Sequence, residues 1–314
     1  MTRRLIAIVG ATATGKTALA VALARRLPGR FEAVNADSRQ VYRGMDIGTA
    51  KPTAEEREVL PHRLIDVVEP DEPFSLGRWL ELANEALGEI WDEGRTPIVI
   101  GGTGQYVWAL LEGWRVPRVP PQDALRRELA SRPPAELLAE LARLDPESRS
   151  YIQPANVRRV IRALEVHHAT GKPFSYWRTK DAPPFASLVL GLRLPREELY
   201  ERIDRRVDTM MAAGFLDEVR GLLARGYGCD LPSMSGIGYG ELCRHLRGEM
   251  SLEEAVARTK TGTHRLARHQ NAWFKAGDER IAWVGTADVA AQTVAEWLRQ
   301  ETGDTGELND CPRR

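Results

Sequence analysis

The feature that most constrains this chain is a glycine-rich loop near its start. Residues 10–17 read Gly-Ala-Thr-Ala-Thr-Gly-Lys-Thr and match the pattern G-x-x-x-x-G-K-[ST] in full. The apolar run at residues 5–9 predicts a buried strand before the loop, and the Ala- and Leu-rich run at residues 17–27 predicts a helix after it. The backbone N–H groups of such a loop, with the helix N-terminus, bind phosphate groups, usually those of a di- or triphosphate.

We assign the whole loop to phosphate binding. The residues concerned are Gly10, Ala11, Thr12, Ala13, Thr14, Gly15, Lys16 and Thr17. Lys16 is expected to neutralise phosphate oxygens, and the Thr17 hydroxyl is placed to hold Mg²⁺. A P-loop NTPase holds this ion with a second carboxylate at the end of a core strand, but the predicted strand at residues 97–100 ends in Gly-Gly-Thr. Asp66 is the nearest substitute, and we expect its apolar neighbours to bury it, which disfavours an ATPase or a motor.

Strands alternate with helices along the first third of the chain. Short apolar runs predict further strands at residues 31–35 and 64–68, and helical periodicity with a Ser75 N-cap predicts a helix at residues 75–91. A last strand is predicted at residues 188–194. This alternation predicts an α/β fold, a P-loop NTPase-like core whose parallel sheet is flanked by helices.

The pattern changes between residues 115 and 186. Three prolines are followed by helical periodicity at residues 124–144 and 156–168, with no strand between them. We therefore expect an α/β catalytic core and, within it, an inserted all-helical domain. The predicted division is a core at residues 1–114 and 187–300, a helical insert at residues 115–186 and a disordered tail at residues 301–314.

Charge is balanced overall but unevenly distributed. Lys and Arg number 44 and Asp and Glu number 44, which excludes a uniformly basic surface. Residues 156–180 hold six basic residues against one acidic, and residues 244–275 hold seven against three, so both segments indicate local sites for a polyanion.

Cysteine content and hydropathy bear on the compartment. Three scattered cysteines predict free thiols rather than a disulfide framework or a zinc site, as in a reducing cytosol. No apolar run approaches the roughly 20 residues that span a bilayer. We expect a cytoplasmic protein with no membrane contact.

Asp37 follows the second predicted strand. Ligands of doubly wound sheets sit beyond the carboxyl ends of the strands, so this carboxylate is expected near the P-loop. It is a candidate general base or metal ligand, and a turn or helix-cap acid is the alternative.

Several longer strings resemble one family, the tRNA dimethylallyltransferases or IPP transferases, from about residue 5 to residue 283. The strings are DSRQVYRGMDIGTAKP at 37–52, PHRLID at 61–66, GGTGQY at 101–106, NVRRVIRALEV at 156–166, GFLDEVR at 214–220, SGIGY at 235–239 and THRLARHQ at 263–270. Two positions depart from the family pattern. Ala11 stands where the family usually has proline, and Gln105 where it often has an apolar residue.

The resemblance implies a reaction. A dimethylallyl group would pass from dimethylallyl diphosphate to N6 of adenosine 37, in tRNAs with A36-A37 that read codons starting with U, and pyrophosphate would leave. The P-loop would hold the diphosphate with Mg²⁺, and Lys16, Thr17 and Arg206 would stabilise the leaving group. Asp37 would act as general base on adenosine 37, flipped out of the anticodon loop into the active-site channel.

The resemblance also implies a tRNA-binding surface, through which a monomer would hold the anticodon stem-loop. The residues that match it in the core are Asp37, Ser38, Arg39, Gln40, Thr103, Ser235, Gly236, Ile237, Gly238, Tyr239 and Gly240. Those in the insert are Arg126, Arg158, Arg159, Val160, Ile161 and Arg162.

Three other functions stay open on the residues alone. An isopentenyltransferase acting on free adenine nucleotides would share the P-loop and Asp37, but it would not need a basic helical insert. A small-molecule kinase would need ATP, a lid and usually a second metal carboxylate. A non-catalytic RNA-binding protein would need neither Asp37 nor an intact Gly-Lys-Thr.

Overall fold

The computed structural model describes residues 3–300, and its centre is a six-stranded sheet. The strands are β1 (Arg4–Gly10), β2 (Phe31–Asn35), β3 (His62–Arg63), β4 (Thr96–Gly101), β5 (Ala186–Leu192) and β6 (Ile281–Trp283). Every pairing between these strands is parallel, in the spatial order β3-β2-β4-β1-β5-β6. The predicted α/β fold, a parallel sheet flanked by helices, is confirmed.

Residues 3–300 also contain twelve α-helices, and those between consecutive strands provide the crossovers that parallel pairing requires. They are α1 (Lys16–Arg26), α2 (Ala54–Val59), α3 (Leu76–Asp92), α4 (Gly104–Leu111), α5 (Asp123–Ser131), α6 (Pro134–Leu144), α7 (Val157–Thr170), α8 (Arg196–Ala212), α9 (Phe215–Ala224), α10 (Tyr239–Leu246), α11 (Leu252–Trp273) and α12 (Ala287–Arg299). The predicted Ser75 cap is confirmed, because its side chain accepts a hydrogen bond from the Arg78 N–H. Within residues 3–300, no helix is long and apolar enough to cross a membrane.

The central strand β1 explains why the sequence reads as a continuous apolar run there. Its residues Leu5, Ile6, Ala7, Ile8 and Val9 are all 0% exposed, as expected for a parallel strand covered on both faces. The carboxyl ends of β1, β2 and β4 come out at one edge of the sheet. The loops that follow these three strands therefore start side by side.

Two predicted elements differ from the structure. The single helix at residues 124–144 is divided into α5 and α6, because Pro133 and Pro134 have no N–H group to continue α5. The strand at residues 64–68 is wrong. Leu64 and Asp66 have φ angles of 64° and 57°, in the left-handed region, so β3 ends at Arg63.

The chain divides into two compact units. One comprises the described residues up to Val107 and from Pro184 onward, and it holds the sheet and the P-loop. The other, Trp108–Pro183, contains α5, α6 and α7, packed around Leu137, Val160 and Leu164. The tail predicted at residues 301–314 lies outside the described residues.

The prediction of free thiols is wrong for two of the three cysteines. Cys229 and Cys243 form a disulfide, with their Cα atoms 6.0 Å apart. Between them lie a turn and a short 3-10 helix, Ser233–Ser235, and Cys243 itself stands on α10. A spacing of 14 residues carried no signal of the pairing, because the pairing depends on that turn. Cys311 lies outside the described residues.

Candidate active site

The P-loop joins β1 to α1 at the carboxyl edge of the sheet. A Cβ at Gly10 would lie 2.4 Å from the Leu192 carbonyl oxygen on β5, so the loop can begin only with glycine. Ala13 and Gly15 both adopt the left-handed conformation, with φ angles of 62° and 92°. Because α1 starts at Lys16, the N–H groups of its first turn remain available to a ligand.

Gln270, on α11, holds this loop from the side. The Thr12 N–H donates to Gln270 Oε1 at 2.7 Å, and the side chain of Gln270 is 7% exposed. Its Nε2 atom occupies the space that a Cβ at Gly102 would need, at a separation of 2.2 Å. Gln270 therefore links the P-loop to the Gly-Gly turn after β4.

The charged form of Lys16 is destabilised by its surroundings. Its Nζ donates to the Gly10 carbonyl at 3.1 Å and the Ala11 carbonyl at 2.8 Å. Burial and, after it, the charge of Arg206 lower the pKa of Lys16 to about 8, against an opposing effect of the Asp37 charge. The site therefore contains more positive charge than its own residues compensate, which is the condition for binding an anion.

Arg206, on α8, reaches the same loop. Its Nη1 donates to the Thr12 hydroxyl at 3.4 Å. Burial lowers the pKa of Arg206, and the charges of Asp37 and Glu56 partly offset that effect. The structure thus brings together Lys16, Thr12 and Arg206, although Arg206 lies 194 residues from Thr12 in sequence.

Asp37 is fixed in a turn directly after β2. Its N–H donates to Asn35 Oδ1 at 3.1 Å, and its Oδ1 accepts the Arg39 N–H at 2.8 Å. The charge of Asp37 acts on both Lys16 and Arg206, so the carboxylate lies within electrostatic reach of the P-loop cations. Asp37 therefore has the hydrogen bonds expected of a turn acid, and it also lies near the P-loop as expected of a general base or metal ligand.

The neighbouring predicted residues lie beside Asp37. Thr103 Oγ1 accepts the Ser38 N–H at 3.2 Å, and the Arg39 guanidinium donates to the Ser235 hydroxyl at 3.1 Å. Gln40 donates from Nε2 to the carbonyl oxygens of Thr49 and Ala50, so it supports the loop before α2. These contacts join segments that are far apart in sequence.

The segment 235–240 is only partly accessible. Ser235 is exposed and Ile237 and Gly240 are half-buried, whereas Gly236 and Gly238 are buried. Tyr239 is 1% exposed, and its hydroxyl donates to Glu218 Oε1 at 2.6 Å. The Tyr239 side chain therefore supports the fold, while Ser235 is the side chain of this segment best placed to meet a ligand.

Asp66 does not replace the missing metal carboxylate, and the expectation that its neighbours bury it is wrong. Its side chain is 34% exposed and contacts the ammonium of Lys51, which is itself 2% exposed. Arg57 lies 3.7 Å away on the other carboxylate oxygen. Across residues 3–300, His, Cys, Asp and Glu side chains form no cluster of three that could hold a metal ion.

A cavity of about 660 Å³ opens beside Arg206. Arg57 and Arg206 contribute cationic groups to its wall, Lys51 lines it while paired with Asp46 at 2.6 Å, and Met210 and Ala213 of α8 contribute apolar groups. A cavity with this mixed lining fits a ligand that has an anionic end and a small hydrocarbon end.

In the helical unit, two of the residues predicted to contact tRNA, Arg126 and Arg162, donate hydrogen bonds to the buried carboxylate of Glu165. Glu165 is 0% exposed and accepts hydrogen bonds from Arg126 at 2.7 and 2.9 Å, from Arg162 and from the Gln122 N–H. Burial raises the pKa of Glu165, but these donors outweigh burial and leave the pKa below its ordinary value. Arg126 and Arg162 therefore stabilise the unit itself.

The other predicted residues of this unit divide by exposure. Arg158 and Arg159 are exposed in the first turn of α7, and within residues 3–300 neither pairs with a carboxylate. Val160 is 1% exposed in the core of the unit and Ile161 is half-buried. The two free guanidinium groups are thus the available anion contacts among them.

Three residues of the site were not identified from the sequence as functional. Gln270 holds Thr12, Glu218 accepts the N–H groups of residues 46–48, and Tyr106 stacks on Trp79 near Asp37. Each lies within one of the strings that carry the family resemblance, which was the only available signal. Their partners are distant in sequence, so spacing alone could not reveal them.

Comparisons with known proteins identify the family to which the chain is similar. The profile described as IPP transferase matches residues 40–277, most of the chain, and the profile described as Isopentenyl transferase matches residues 3–66. A tRNA dimethylallyltransferase of Roseiflexus sp. (strain RS-1) is 51% identical over 300 residues, which cover 94% of this chain and 98% of that protein. One from Chloroflexus aurantiacus is 52% identical over 275 residues, which cover 86% of this chain and 92% of the relative.

Solved structures show the same likeness. A tRNA isopentenylpyrophosphate transferase from Bacillus halodurans aligns with a TM-score of 0.69 at 39% identity, over 94% of this chain and 95% of that one. A eukaryotic dimethylallyltransferase acting on tRNA aligns with a TM-score of 0.79 at 29% identity, over 95% of this chain and 76% of that one.

Proposed function

The chain belongs to the IPP transferase family of tRNA-modifying prenyltransferases, and on this basis we propose that it moves a dimethylallyl group from dimethylallyl diphosphate to N6 of adenosine 37 in tRNA. One observation carries the proposal: Lys16 and Arg206 leave positive charge uncompensated at the P-loop, within electrostatic reach of the Asp37 carboxylate. The two cations suit a leaving diphosphate, and the carboxylate suits an attacking amine.

The leaving group needs the larger stabilisation. As the N6–C1 bond forms, the C1–O bond to the diphosphate breaks and its electron pair goes to the phosphate oxygen. Lys16, Arg206 and the N–H groups of the loop are positioned before the reaction, so they stabilise this charge without reorganising.

The attacking nitrogen needs a proton acceptor. The lone pair of adenine N6 is delocalised into the ring, so the amine is a weak nucleophile until it loses a proton. Asp37 Oδ1 accepts the Arg39 N–H, which orients the carboxylate and leaves Oδ2 to accept the N6 proton. Adenosine 37 must leave the anticodon stack to reach this carboxylate.

Magnesium fits the residues of the loop. The Thr17 side chain stands in the first turn of α1, and a bound diphosphate would add the phosphate oxygens that Mg²⁺ prefers. When bound, the ion would neutralise part of the charge on the leaving diphosphate. No second protein carboxylate is required, in agreement with the pairing of Asp66 with Lys51.

The two substrates would use different surfaces. The cavity beside Arg206 would admit the hydrocarbon of dimethylallyl diphosphate against Met210 and Ala213, while Arg206, which lines the cavity and contacts Thr12, would meet the phosphates held by the P-loop. Arg158 and Arg159 would contact backbone phosphates of the anticodon stem-loop, with Ser38, Thr103 and Ser235 near the flipped base. We place this activity in the cytoplasm and assign it to a monomer.

A transfer assay tests the proposal. Purified protein, Mg²⁺ and labelled dimethylallyl diphosphate would be offered unmodified tRNA with A36-A37, the same tRNA with guanosine at position 37, and AMP, ADP or ATP alone. We expect label only in the first tRNA, on N6 of adenosine 37. Label in a free nucleotide would instead indicate a nucleotide isopentenyltransferase, and ATP consumption without transfer would indicate a kinase or an ATPase.

A further inference from the structure

A second, smaller cavity lies beside the first turn of α8, with a volume of about 220 Å³. Its polar lining comes from three places: Arg193 after β5, Arg196 and Tyr200 on α8, and Arg268 and Asn271 on α11. None of these side chains takes part in the chemistry proposed above.

The positive charge of this cavity is not compensated. Within residues 3–300, none of its three arginines pairs with a carboxylate, whereas Arg202, the next arginine along α8, pairs with Glu198 at 2.8 Å. Arg268 Nη1 instead donates to the Tyr200 hydroxyl at 2.8 Å, and the Arg196 guanidinium lies 5.2 Å from the centre of the Tyr200 ring.

Two further observations agree with an unsatisfied positive field. The hydrogen bond from Arg268 lowers the pKa of the Tyr200 phenol, and Arg196 acts in the same direction. The cavity also lies at the N-terminus of α8, a helix of 17 residues whose first N–H groups receive no side-chain cap, and the two acidic residues of that turn, Glu197 and Glu198, do not line it. Neutral and cationic donors therefore converge on one small space.

The inner wall of the cavity is shared with the P-loop. Leu199 and Ala267 line the cavity and pack with Ala11 in one buried cluster, against which Ala13 and Tyr200 also pack. One turn beyond Ala267 on α11, Gln270 holds the Thr12 N–H. A ligand in the cavity would therefore lie directly behind the loop that binds the diphosphate.

We propose that this cavity is a second anion site that binds free inorganic diphosphate, separately from the P-loop. Three guanidinium groups match the charge of a diphosphate, and the volume suits a small anion better than a nucleoside triphosphate. The cations converge from three elements into a concavity, so they can surround a small anion; an RNA backbone phosphate exposes only two free oxygens. Only the choice of diphosphate, the product of the transfer, rests on the proposed function.

Calorimetric titration of inorganic diphosphate into the full chain tests the site without any transfer reaction. We expect two binding sites in the wild type, one in Lys16→Ala, and one in a variant with Arg193→Ala and Arg268→Ala together. Arg205→Ala is the matched control, since Arg205 is exposed on α8 and does not line the cavity. Melting curves of each variant check that it is folded.

The outcomes separate the possibilities. An Arg193→Ala/Arg268→Ala variant that still binds two diphosphates overturns this proposal, as does a Lys16→Ala variant that binds none. A Lys16→Ala variant that keeps both sites counts against the proposed function instead, because the P-loop would then not hold diphosphate.

RNA is the competing occupant of the cavity. Fluorescence anisotropy with labelled tRNA would measure whether the same arginine pair contributes to RNA affinity, and at what salt dependence. We expect an unchanged tRNA affinity alongside the lost diphosphate site. A loss of tRNA affinity, with or without loss of diphosphate binding, would assign the arginines to the RNA backbone and overturn the assignment to free diphosphate.

Discussion

Arg206 Nη1 donates a hydrogen bond to the hydroxyl of Thr12, at 3.4 Å, from a helix that begins after the fifth strand to the loop after the first. This contact places a second cation at a loop that already contains Lys16, and the charge of Arg206 lowers the pKa of Lys16 further than burial alone. Two cations held together without an anion are unfavourable. In the proposed function, binding of a diphosphate would relieve that repulsion.

Removal of Arg206 should slow the chemical step. We expect Arg206→Ala to lower kcat by about 10²- to 10³-fold, the usual loss when one preorganised donor to a developing anion is deleted. Arg206→Lys should recover part of the rate, because it keeps the charge but loses the planar fork. Steady-state transfer to tRNA measures both, with Arg205→Ala as the exposed control on the same helix. Equal rates for Arg206→Ala and Arg205→Ala would exclude Arg206 from leaving-group stabilisation.

Donor affinity should depend on pH through Lys16. Its pKa of about 8 means that the ammonium is charged below that pH and loses its charge above it. A bound diphosphate favours the charged form, so affinity for dimethylallyl diphosphate should be constant below about pH 7.5 and fall as pH rises through 8. The terminal phosphate of the donor is already ionised in this range. Titrations of the donor from pH 6.5 to 9.5 measure this profile. In Lys16→Ala, the affinity for the donor should be weak and should not change with pH. An equally pH-independent affinity in the wild type would exclude Lys16 from the site.

Asp37→Asn should separate chemistry from binding. The amide keeps an oxygen that can accept the Arg39 N–H, so the turn should persist, but it cannot accept a proton from N6. We expect kcat to fall by about 10²- to 10⁴-fold, with tRNA affinity within about twofold of wild type. Single-turnover transfer and anisotropy measure the two effects. Lost tRNA binding with unchanged chemistry in the residual complex would show that Asp37 is a recognition group rather than the base.

The arginines of the helical unit should divide into two classes. Arg158→Ala and Arg159→Ala should each weaken tRNA binding and reduce the slope of log affinity against log salt by about 1. Arg126→Ala should instead destabilise the protein by about 1–3 kcal/mol, because Glu165 would remain buried with fewer donors. Salt-dependent anisotropy and urea unfolding measure the two quantities. A reduced salt slope in Arg126→Ala at unchanged stability would contradict this division.

Features set by residues close together in the sequence could be predicted, and contacts between residues far apart in the sequence could not. The P-loop is eight consecutive residues, and the strand and helix around it are decided by local apolar patterns, so its place in the fold was predictable. Asp37 could be placed near the loop because parallel strands end at one edge of a sheet. Arg206 could be assigned only through the family resemblance. From the residues alone, an arginine on an amphipathic helix cannot be distinguished from an arginine on a solvent-exposed helix face.

The features that the sequence did not reveal depend on contacts between distant residues. The Cys229–Cys243 pair depends on how the chain folds between the two cysteines. The apolar pattern at residues 64–68 predicted a strand, but Leu64 and Asp66 adopt left-handed φ angles. The tRNA contact that the resemblance implies for Arg126 stays a prediction, whereas its hydrogen bond to the buried Glu165, 39 residues away, had no signal in the sequence. Each of these outcomes is decided by a tertiary partner that no local pattern specifies.

In the proposed function, the P-loop holds an allylic diphosphate rather than a nucleotide. Calorimetric competition between a non-reacting thiolodiphosphate analogue of the donor and ATP, both with Mg²⁺, tests it most directly in wild type and Lys16→Ala. We predict that the analogue binds, that Lys16→Ala weakens this binding strongly, and that ATP neither displaces the analogue at equal concentration nor is hydrolysed. Preferential binding of ATP that is lost in Lys16→Ala would contradict the account.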